Sequence, residues 1–323
     1  MAVLLVLAAM LAGCGGGTGG PESTGSSNPP AAAQGAGADG GEAGARTRYP
    51  LAITDDAGRK VTIAERPERI VSLAPSNTEI LFAIGAGDRV VGVDSFSDYP
   101  AEAAKLPKVG GLTDTNFEQI VALEPDLALT VGGTEEQVKR LEELGIPTVV
   151  IQPATLEDVL ERIELVGRLV DAQEGAARVV RDMRDRIEAV RAKIAGIPDD
   201  RRVRVFYEVW HDPLMTAGPG GFIHDVITAA GGINIAADAG NPWPQISLET
   251  VVAKDPQVII VPRSLESSYQ ELKAGKRKGW EGITAVRDGR IYAIDDNIIS
   301  RPGPRLVDGL EQIARWLYPD RFQ

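Results

Sequence analysis

Aromatic side chains occur in loops that follow predicted strands, although aromatic residues make up only 5% of the chain. Phe96 and Tyr99 follow a predicted strand at 90–94, and Trp210 follows one at 203–209. Trp243 lies in a predicted loop with the sequence NPWPQIS. Aromatic faces at the mouth of a cleft suit a large, flat or macrocyclic ligand. The alternative for each tryptophan is that it covers the hydrophobic core of its own half of the chain.

Two arginines, Arg301 and Arg305, flank the rigid sequence PGP. A guanidinium group presents several N–H donors and binds carboxylate, amide or phosphate oxygens. One of the two is equally suited to a structural ion pair. The segment 301–305 leads into a predicted C-terminal amphipathic helix. Arg305, which is nearer this helix, is our candidate for that pair.

The chain contains no motif typical of an enzyme or of a closed metal site. Its 2 histidines, His211 and His224, have no carboxylates at the spacing that builds a metal shell, so we expect both to be satisfied structural residues. There is no G-x-S-x-G, Walker loop, H-E-x-x-H or cysteine nucleophile. We therefore predict no catalytic residues, no resident metal and no cofactor.

The elements that position these residues are organised around one long amphipathic helix at 173–195. Asp171 and Glu174 form a candidate N-cap pair, and the glycine and proline that follow the helix end it. No glycine or proline interrupts 176–195, so this part is predicted to be stiff. The apolar positions recur every three or four residues, at Ala176, Val179, Val180, Met183, Ile187, Val190 and Ile194.

The sequences on the two sides of this helix are related. Residues 116–129 align without a gap with 247–260, which pairs Glu118 with Glu249 and Val121 with Val252. Both segments are typical of a short helix, a proline-containing turn and a buried strand. The predicted fold is α/β, with two lobes that have mainly parallel sheets and are joined by a single long rigid helix. The predicted boundaries are 49–170 for the N-terminal lobe, 171–196 for the linking helix and 197–323 for the C-terminal lobe.

The order of the predicted elements favours parallel sheets, because strands alternate with helices after a hairpin at 51–63. The predicted strands are 70–74, 90–94, 127–131 and 148–152 in the first lobe and 203–209, 258–261 and 291–294 in the second. Ligands of such sheets bind outside the carboxyl ends of the strands. We therefore expect the loops of the two lobes to face each other across a cleft.

The net charge excludes one class of partner. An excess of 46 acidic over 34 basic residues gives −12, which argues against binding to a nucleic-acid backbone. This charge fits an extracytoplasmic protein, or one that docks onto a basic surface.

The first residues have the features of an export signal. Residues 2–13 form an apolar run that is too short to span a bilayer but has the length of a signal-peptide core. The run ends in LAGC, which resembles the lipobox of bacterial lipoproteins, and Cys14 is the only cysteine. Residues 1–14 are thus predicted to be a lipoprotein signal peptide, with a non-cleaved apolar segment as the alternative. The segment 15–48, rich in Gly, Ala, Ser and Pro, is predicted to be a disordered tether with a reach of about 30 Å.

Four stretches resemble the substrate-binding proteins of iron-chelate and cobalamin ABC importers. They are residues 70–100, NFEQIVALEPDLAL (116–129), PWPQISLE (242–249) and RPGPRL (301–306). The resemblance covers 69–317 and implies the helical-backbone periplasmic-binding fold. It also implies a lipid-anchored, extracytoplasmic monomer that delivers a metal chelate to an ABC permease dimer with its ATPase.

The resemblance implies roles for residues that match the family's motifs. Phe96 and Trp243 match aromatic ligand contacts, and Arg301 matches an arginine beside the ligand's side chains. Glu118 and Glu249 match two carboxylates that dock onto permease arginines.

Departures from the cobalamin-binding type of this family concern the ligand. That type has tryptophan at Leu112 and near Thr130, aspartate near Asn297, and phenylalanine at Val209, beside which Trp210 lies. The expected ligand is cobalamin or a related corrinoid. A ferric siderophore or haem is the alternative within the family, and a chelatase-like enzyme of similar fold is the alternative outside it. The candidate ligand-binding residues are Phe96, Tyr99, Leu112, Trp210, Trp243 and Arg301.

Overall fold

The computed structural model describes residues 46–323. The predicted signal peptide, Cys14 and the tether up to residue 45 lie outside these described residues. Within them, no helix has both the length and the apolar character needed to cross a membrane.

The first lobe contains an antiparallel hairpin and a four-stranded parallel sheet. Its strands are β1 (Leu51–Thr54), β2 (Lys60–Ile63), β3 (Ile70–Ser72), β4 (Val90–Val93), β5 (Leu127–Thr130) and β6 (Thr148–Val150). β1 pairs with β2, and the sheet has the order β4-β3-β5-β6. All four residues of β5 are buried, as expected for a parallel strand covered on both faces.

Four helices cover this sheet. They are α1 (Pro75–Ala83), α2 (Phe117–Ala122), α3 (Glu135–Glu143) and α4 (Leu156–Leu169). α1 begins with Pro75, a residue favoured in the first helical turn because it lacks an N–H that the turn would leave unpaired. α4 begins with a capping box, in which Thr155 and Asp158 each accept a hydrogen bond from the other's backbone N–H.

In the part of the chain that the structure describes, a single helix, α5 (Gln173–Ile194), connects the lobes and confirms the predicted linking helix. Its 22 residues span about 33 Å. The face predicted to be apolar is buried at Ala176, Val180, Met183, Ile187 and Val190.

The start of α5 differs from the prediction. Ala172 occupies the N-cap position and has no side chain that could cap the helix. Asp171 instead has a left-handed backbone (φ 51°), and its carboxylate accepts a hydrogen bond from the N–H of Thr47 at 2.8 Å. The Thr47 hydroxyl also donates to the carbonyl of Arg168. Thr47 therefore belongs to the folded part, and the predicted end of the tether at residue 48 lies too far along the chain.

The second lobe has a five-stranded sheet. Its strands are β7 (Arg204–His211), β8 (Leu214–Thr216), β9 (Ile233–Asn234), β10 (Val258–Pro262) and β11 (Ile291–Ile294). The order is β11-β10-β7-β8, with β9 also pairing with β7. All pairs are parallel except β7 with β8.

Six helices complete this lobe. They are α6 (Phe222–Ala229), α7 (Leu248–Lys254), α8 (Glu266–Lys273), α9 (Thr284–Arg287), α10 (Asp296–Ile299) and α11 (Leu306–Leu317). α11 packs against both α5 and α6. Arg186 on α5 donates from Nε to Glu311 on α11 at 2.9 Å and also pairs with Asp308.

Within residues 46–323, the largest of three hydrophobic core clusters continues from one lobe into the other. It includes Leu127 and Val149 of the first sheet, Met183 of α5, and Val205 and Val258 of the second sheet. α5 packs against α1 and α4 of the first lobe and against α6 and α11 of the second. Because interiors of this kind are close-packed, the lobes can move apart only by breaking apolar contacts.

Two glycines allow α5 to approach α1 and α4 of the first lobe closely. A Cβ added at Gly175 of α5 would lie 1.9 Å from the carbonyl oxygen of Ile84, which caps the end of α1. A Cβ added at Gly167 of α4 would lie 2.5 Å from the Cβ of Ala176. The start of the linking helix is therefore fixed against two elements of the first lobe.

Candidate functional site

The candidate site lies where loops at the carboxyl ends of the strands of the two lobes meet. In the first lobe, the segment 94–100 follows β4, and α1 begins after β3. In the second lobe, the segment 300–305 follows α10 and leads into α11. Arg301 and Arg305 of this segment contact the first lobe directly.

Glu79 is the centre of the contact between the lobes. It lies in α1, and its side chain is only 2% exposed. Arg305 donates from Nε to Glu79 Oε2 at 2.8 Å and from Nη2 to Oε1. Arg301 donates from Nη1 to the same Oε1 at 3.0 Å. One buried carboxylate therefore pairs with two guanidinium groups.

A second carboxylate, Asp98, completes the set. Arg301 donates from Nη1 to Asp98 Oδ1 at 2.7 Å and from Nη2 to the carbonyl oxygen of Phe96 at 3.2 Å. We call Glu79, Asp98, Arg301 and Arg305 the interlobe cluster; its two positive and two negative charges cancel. Arg305 forms the structural ion pair expected from the sequence, and Arg301 takes part in it as well.

Two aromatic residues surround the cluster on the first-lobe side. The Arg305 guanidinium lies 4.0 Å from the centre of the Tyr99 ring, a cation–π geometry. Its hydrogen bonds to Glu79 raise the pKa of Arg305 above the ordinary arginine value. Phe96 and Tyr99 are 59% and 47% exposed, so each keeps a face available to a ligand.

A buried polar network holds the segment that carries these aromatic residues. The carboxylate of Asp94 accepts hydrogen bonds from the N–H of Phe96 at 2.9 Å and from the hydroxyl of Ser97. The Ser97 hydroxyl also lies 2.7 Å from that of Thr78 on α1. Burial raises the pKa of Asp94, and the hydrogen bonds from Ser97 and Phe96 oppose that shift. The network fixes the segment 94–97 against α1.

Trp210 lies at the end of β7 in the second lobe and is 41% exposed. Its indole N–H donates to the carbonyl of Asp212 at 2.8 Å, and its ring centre lies 5.5 Å from that of His211. His211 is exposed, which differs from the expectation of a satisfied structural histidine. His224 meets that expectation, because its Nδ1 lies 3.0 Å from the side-chain amide of Asn234.

Trp243 is half-buried and packs edge-on against Phe222 of α6, with ring centres 6.5 Å apart. The segment that carries it extends the sheet beside β8, because Thr216 donates to the carbonyl of Pro244 and Ile246 donates to the carbonyl of Leu214. The predicted loop at 241–247 is thus partly an edge segment of the sheet. Trp243 contacts the core on one side and retains an accessible side.

Leu112 is half-buried in the first lobe. Its neighbour Gly111 lies close to Phe96, because a Cβ added at Gly111 would come within 3.3 Å of the Phe96 ring. Leu112 lines a groove of about 780 Å³ with Phe117 and Gln137, among others. The structure brings Phe96, Tyr99 and Arg301 together around the interlobe cluster. The groove that Leu112 lines does not include these three residues. Trp210 and Trp243 belong to the second lobe.

Glu118 and Glu249 lie in the first turns of α2 and α7, at the equivalent positions that the repeat predicts. Both helices have a side-chain N-cap, Asn116 in α2 and Ser247 in α7. Both glutamates are exposed. Backbone hydrogen bonding and the Ser247 hydroxyl lower the pKa of Glu249, so it remains ionised at neutral pH.

Comparison with known proteins decides the family. The profile of the family described as periplasmic binding protein matches residues 70–298. The chain belongs to the periplasmic binding protein family. The uncharacterised ABC transporter substrate-binding lipoprotein YvrC of Bacillus subtilis (strain 168) is 34% identical over 331 residues, which cover 100% of this chain and 97% of YvrC.

Solved structures confirm the predicted fold. The periplasmic vitamin B12 binding protein BtuF of Vibrio cholerae has a TM-score of 0.67 at 31% identity, covering 80% of this chain and 99% of that one. The periplasmic heme-binding protein RhuT from Roseiflexus sp. RS-1 has a TM-score of 0.67 at 30% identity, covering 79% and 99%. This periplasmic binding protein is therefore the extracytoplasmic substrate-binding component of an ABC importer and not an enzyme. Its partners are a permease with its ATPase and a small-molecule ligand.

Sequence reasoning missed Glu79 and Asp98 of this periplasmic binding protein. A signal existed for Glu79, because it precedes Ile80 and Leu81 in a helix that is otherwise apolar or uncharged. A carboxylate buried in such a helix requires a cation or several donors. Asp98 gives no comparable signal, since its side chain is 61% exposed.

Proposed function

We propose that this protein captures cobalamin or a related corrinoid between its lobes and delivers it to an ABC permease. The observation that carries the proposal is the interlobe cluster, in which both guanidinium groups already pair with carboxylates. A ligand beside these four residues meets no net charge. Cyanocobalamin carries amide side chains and is neutral overall, whereas haem carries carboxylates that require a cation when desolvated.

The exposed aromatic faces support a large macrocyclic ligand. Phe96 and Tyr99 on the first lobe and Trp210 on the second offer flat apolar area, which stacks on a conjugated ring with little loss of side-chain entropy. The similarity to a vitamin B12 binding protein supports the same ligand class.

Haem or a ferric siderophore is the second candidate ligand, favoured by the similarity to the heme-binding protein RhuT. The test is a titration of the purified full chain in detergent micelles with cyanocobalamin, haemin and a ferric hydroxamate siderophore. Tryptophan fluorescence and calorimetry measure the affinities. We expect cyanocobalamin to bind at least tenfold more tightly than the other two. A preference for haemin or the siderophore refutes the corrinoid assignment.

We also propose that Glu118 and Glu249 dock the protein onto its permease. Their pseudo-twofold arrangement suits a dimeric permease that offers an arginine from each subunit, and such charge pairs set orientation and association rate. The Glu118→Gln/Glu249→Gln double variant should bind ligand normally but fail to support uptake. Docking of the wild-type chain should weaken with salt. Normal uptake by the double variant would refute the docking role. The two glutamates would then serve only as carboxylates that interact favourably with the dipole at the start of each helix.

A lipid anchor at Cys14 is the third part of the proposal, with 15–45 as the connection to the folded monomer. Cells expressing the full chain are labelled with a fatty-acid analogue and fractionated. The wild-type chain should carry the label and sediment with membranes, while Cys14→Ser should lose the label and leave the membrane fraction. Label on the Cys14→Ser variant would place the lipid elsewhere.

A further inference from the structure

Two short helices, α2 and α7, present the same pair of exposed side chains in the two lobes. Glu118 is followed by Val121, and Glu249 is followed by Val252 at the same offset. Val121 is 45% exposed and Val252 is 42% exposed. On a helix, residues three apart are neighbours, with Cβ atoms about 5–6 Å apart. Each lobe therefore shows an exposed carboxylate next to an exposed apolar side chain.

These valines are not needed to attach α2 and α7 to their lobes. The preceding aligned pair, Ile120 and Val251, is fully buried at 0% exposure and attaches each helix to its lobe. Valine is a weaker helix former than alanine or a straight-chain residue, so helix propensity does not explain the presence of valine at these two positions either. A solvated helix face would be served as well by a polar residue.

Single exposed apolar residues are common and by themselves indicate nothing. Within residues 46–323, seven large hydrophobic side chains are exposed, including Phe96, Tyr99 and Trp210 at the candidate site. Leu144 and Ile233 are exposed at unrelated places in the two lobes. Val121 and Val252 differ from these because the internal repeat places them at equivalent positions, beside equivalent carboxylates.

We infer that Val121 and Val252 form apolar contacts with the two subunits of the permease dimer, one beside each docking glutamate. This inference rests on the proposed docking role of Glu118 and Glu249. A two-fold symmetric partner meets the same chemistry on each lobe, which explains why the arrangement is duplicated. The apolar contact excludes water from the adjacent ion pair and so strengthens it. Each permease subunit is accordingly expected to present an apolar side chain next to its arginine.

The first test measures uptake of radiolabelled cyanocobalamin by cells that express the full chain in place of their own copy. The Val121→Asp/Val252→Asp double variant is compared with Leu144→Asp/Ile233→Asp, which adds the same charge at similarly exposed sites. We expect the valine variant to reduce uptake at least tenfold while its purified form binds cyanocobalamin and melts like the wild type. The control should retain uptake. Uptake by the valine variant within twofold of the wild type overturns the inference.

The second test does not depend on the ligand. A photo-crosslinking benzophenone amino acid in place of Val121 or Val252 should crosslink to the permease subunit, identified by mass spectrometry. The same amino acid in place of Leu144 or Ile233 should not. Crosslinks from the valine positions in a chain that does not take up cyanocobalamin would refute the ligand assignment and support the apolar surface. Absence of these crosslinks, while Glu118→Gln/Glu249→Gln abolishes uptake, would refute the apolar surface and retain the ionic one.

Discussion

Replacing Glu79 by glutamine keeps the shape of the side chain but removes the charge shared by two arginines. Removing one partner of a buried ion pair costs about 3–5 kcal/mol. The side chains of Arg301 and Arg305 are 14% and 19% exposed, so water reaches them in part and the lower end of the range applies. We expect Glu79→Gln to lose about 3 kcal/mol of unfolding free energy, or about 6 °C or more in melting temperature.

Asp98→Asn is the matched control, because Asp98 binds the same Arg301 but its side chain is 61% exposed. An exposed pair contributes about 0–1 kcal/mol. Urea unfolding followed by circular dichroism measures the free energy of unfolding of both variants. The comparison requires that the slope of this free energy against urea concentration be the same in the variants and the wild type. Equal losses in the two variants, or a loss below about 1 kcal/mol for Glu79→Gln, would refute the assignment of Glu79 as the buried centre of the interlobe contact.

The same variant also tests the argument on ligand charge. With Glu79 neutral, the cluster carries a net positive charge, and haemin should bind more tightly to Glu79→Gln than to the wild type. Cyanocobalamin affinity should change little. Fluorescence titrations of both ligands measure the difference, and an unchanged haemin affinity would mean that the charge of the cluster does not select the ligand.

Three further predictions concern single contacts. Trp243→Ala should weaken cyanocobalamin binding by about 2 kcal/mol, which fluorescence titration would measure as a Kd about 30-fold higher. The free energy of unfolding should fall by less than the roughly 3–5 kcal/mol lost when a fully buried tryptophan is replaced by alanine. Arg186 holds the pKa of Glu311 below its ordinary value of 4.5, so the stability from this pair is present above pH 4.5 and lost as pH falls through the lowered value. Glu311→Gln should therefore lose about 1 kcal/mol at pH 7 and show a shallower acid transition by circular dichroism. Gly175→Ala should destabilise the protein by about 1–2 kcal/mol in thermal melts, because the added Cβ would lie 1.9 Å from the Ile84 carbonyl oxygen. This loss is expected even though alanine is a better helix former than glycine by about 1 kcal/mol. Unchanged stability in either of the last two variants would contradict the contact concerned.

Elements that depend on local pattern were predictable from the sequence. The apolar period of three and four defines α5, and the buried runs define β3 to β6 to within about two residues. β8 was not predictable, because its three residues show no alternation and form a strand only by pairing with β7. The N-cap of α5 was mispredicted because Asp171 satisfies the distant Thr47 rather than its own helix.

The exposure of several candidate residues was predictable from the sequence, but the ionic pairing of the two arginines was not. Phe96 and Tyr99 are exposed in the segment after β4, as predicted. Trp210 is exposed too, but it lies within β7 and pairs with β8 rather than following the strand. Glu79, one of the two carboxylates that pair with Arg301, lies 222 residues away from it in the sequence. A local sequence pattern cannot indicate a pair of residues so far apart in the chain. Only the packing of the two lobes brings them together.

The linking helix and the shared core together predict small lobe motion. Opening the cleft widely would separate α4 and α5 from α6 and α11, and each 200 Å² of apolar surface exposed costs about 5 kcal/mol. Small-angle scattering should therefore give nearly the same radius of gyration with and without cyanocobalamin. The Glu79→Gln variant separates the two restraints: if the core holds the lobes, its radius of gyration equals that of the wild type despite its lower stability. A larger radius for Glu79→Gln would show that the ionic cluster is the restraint, and a marked compaction of the wild type on binding would contradict the rigid connection.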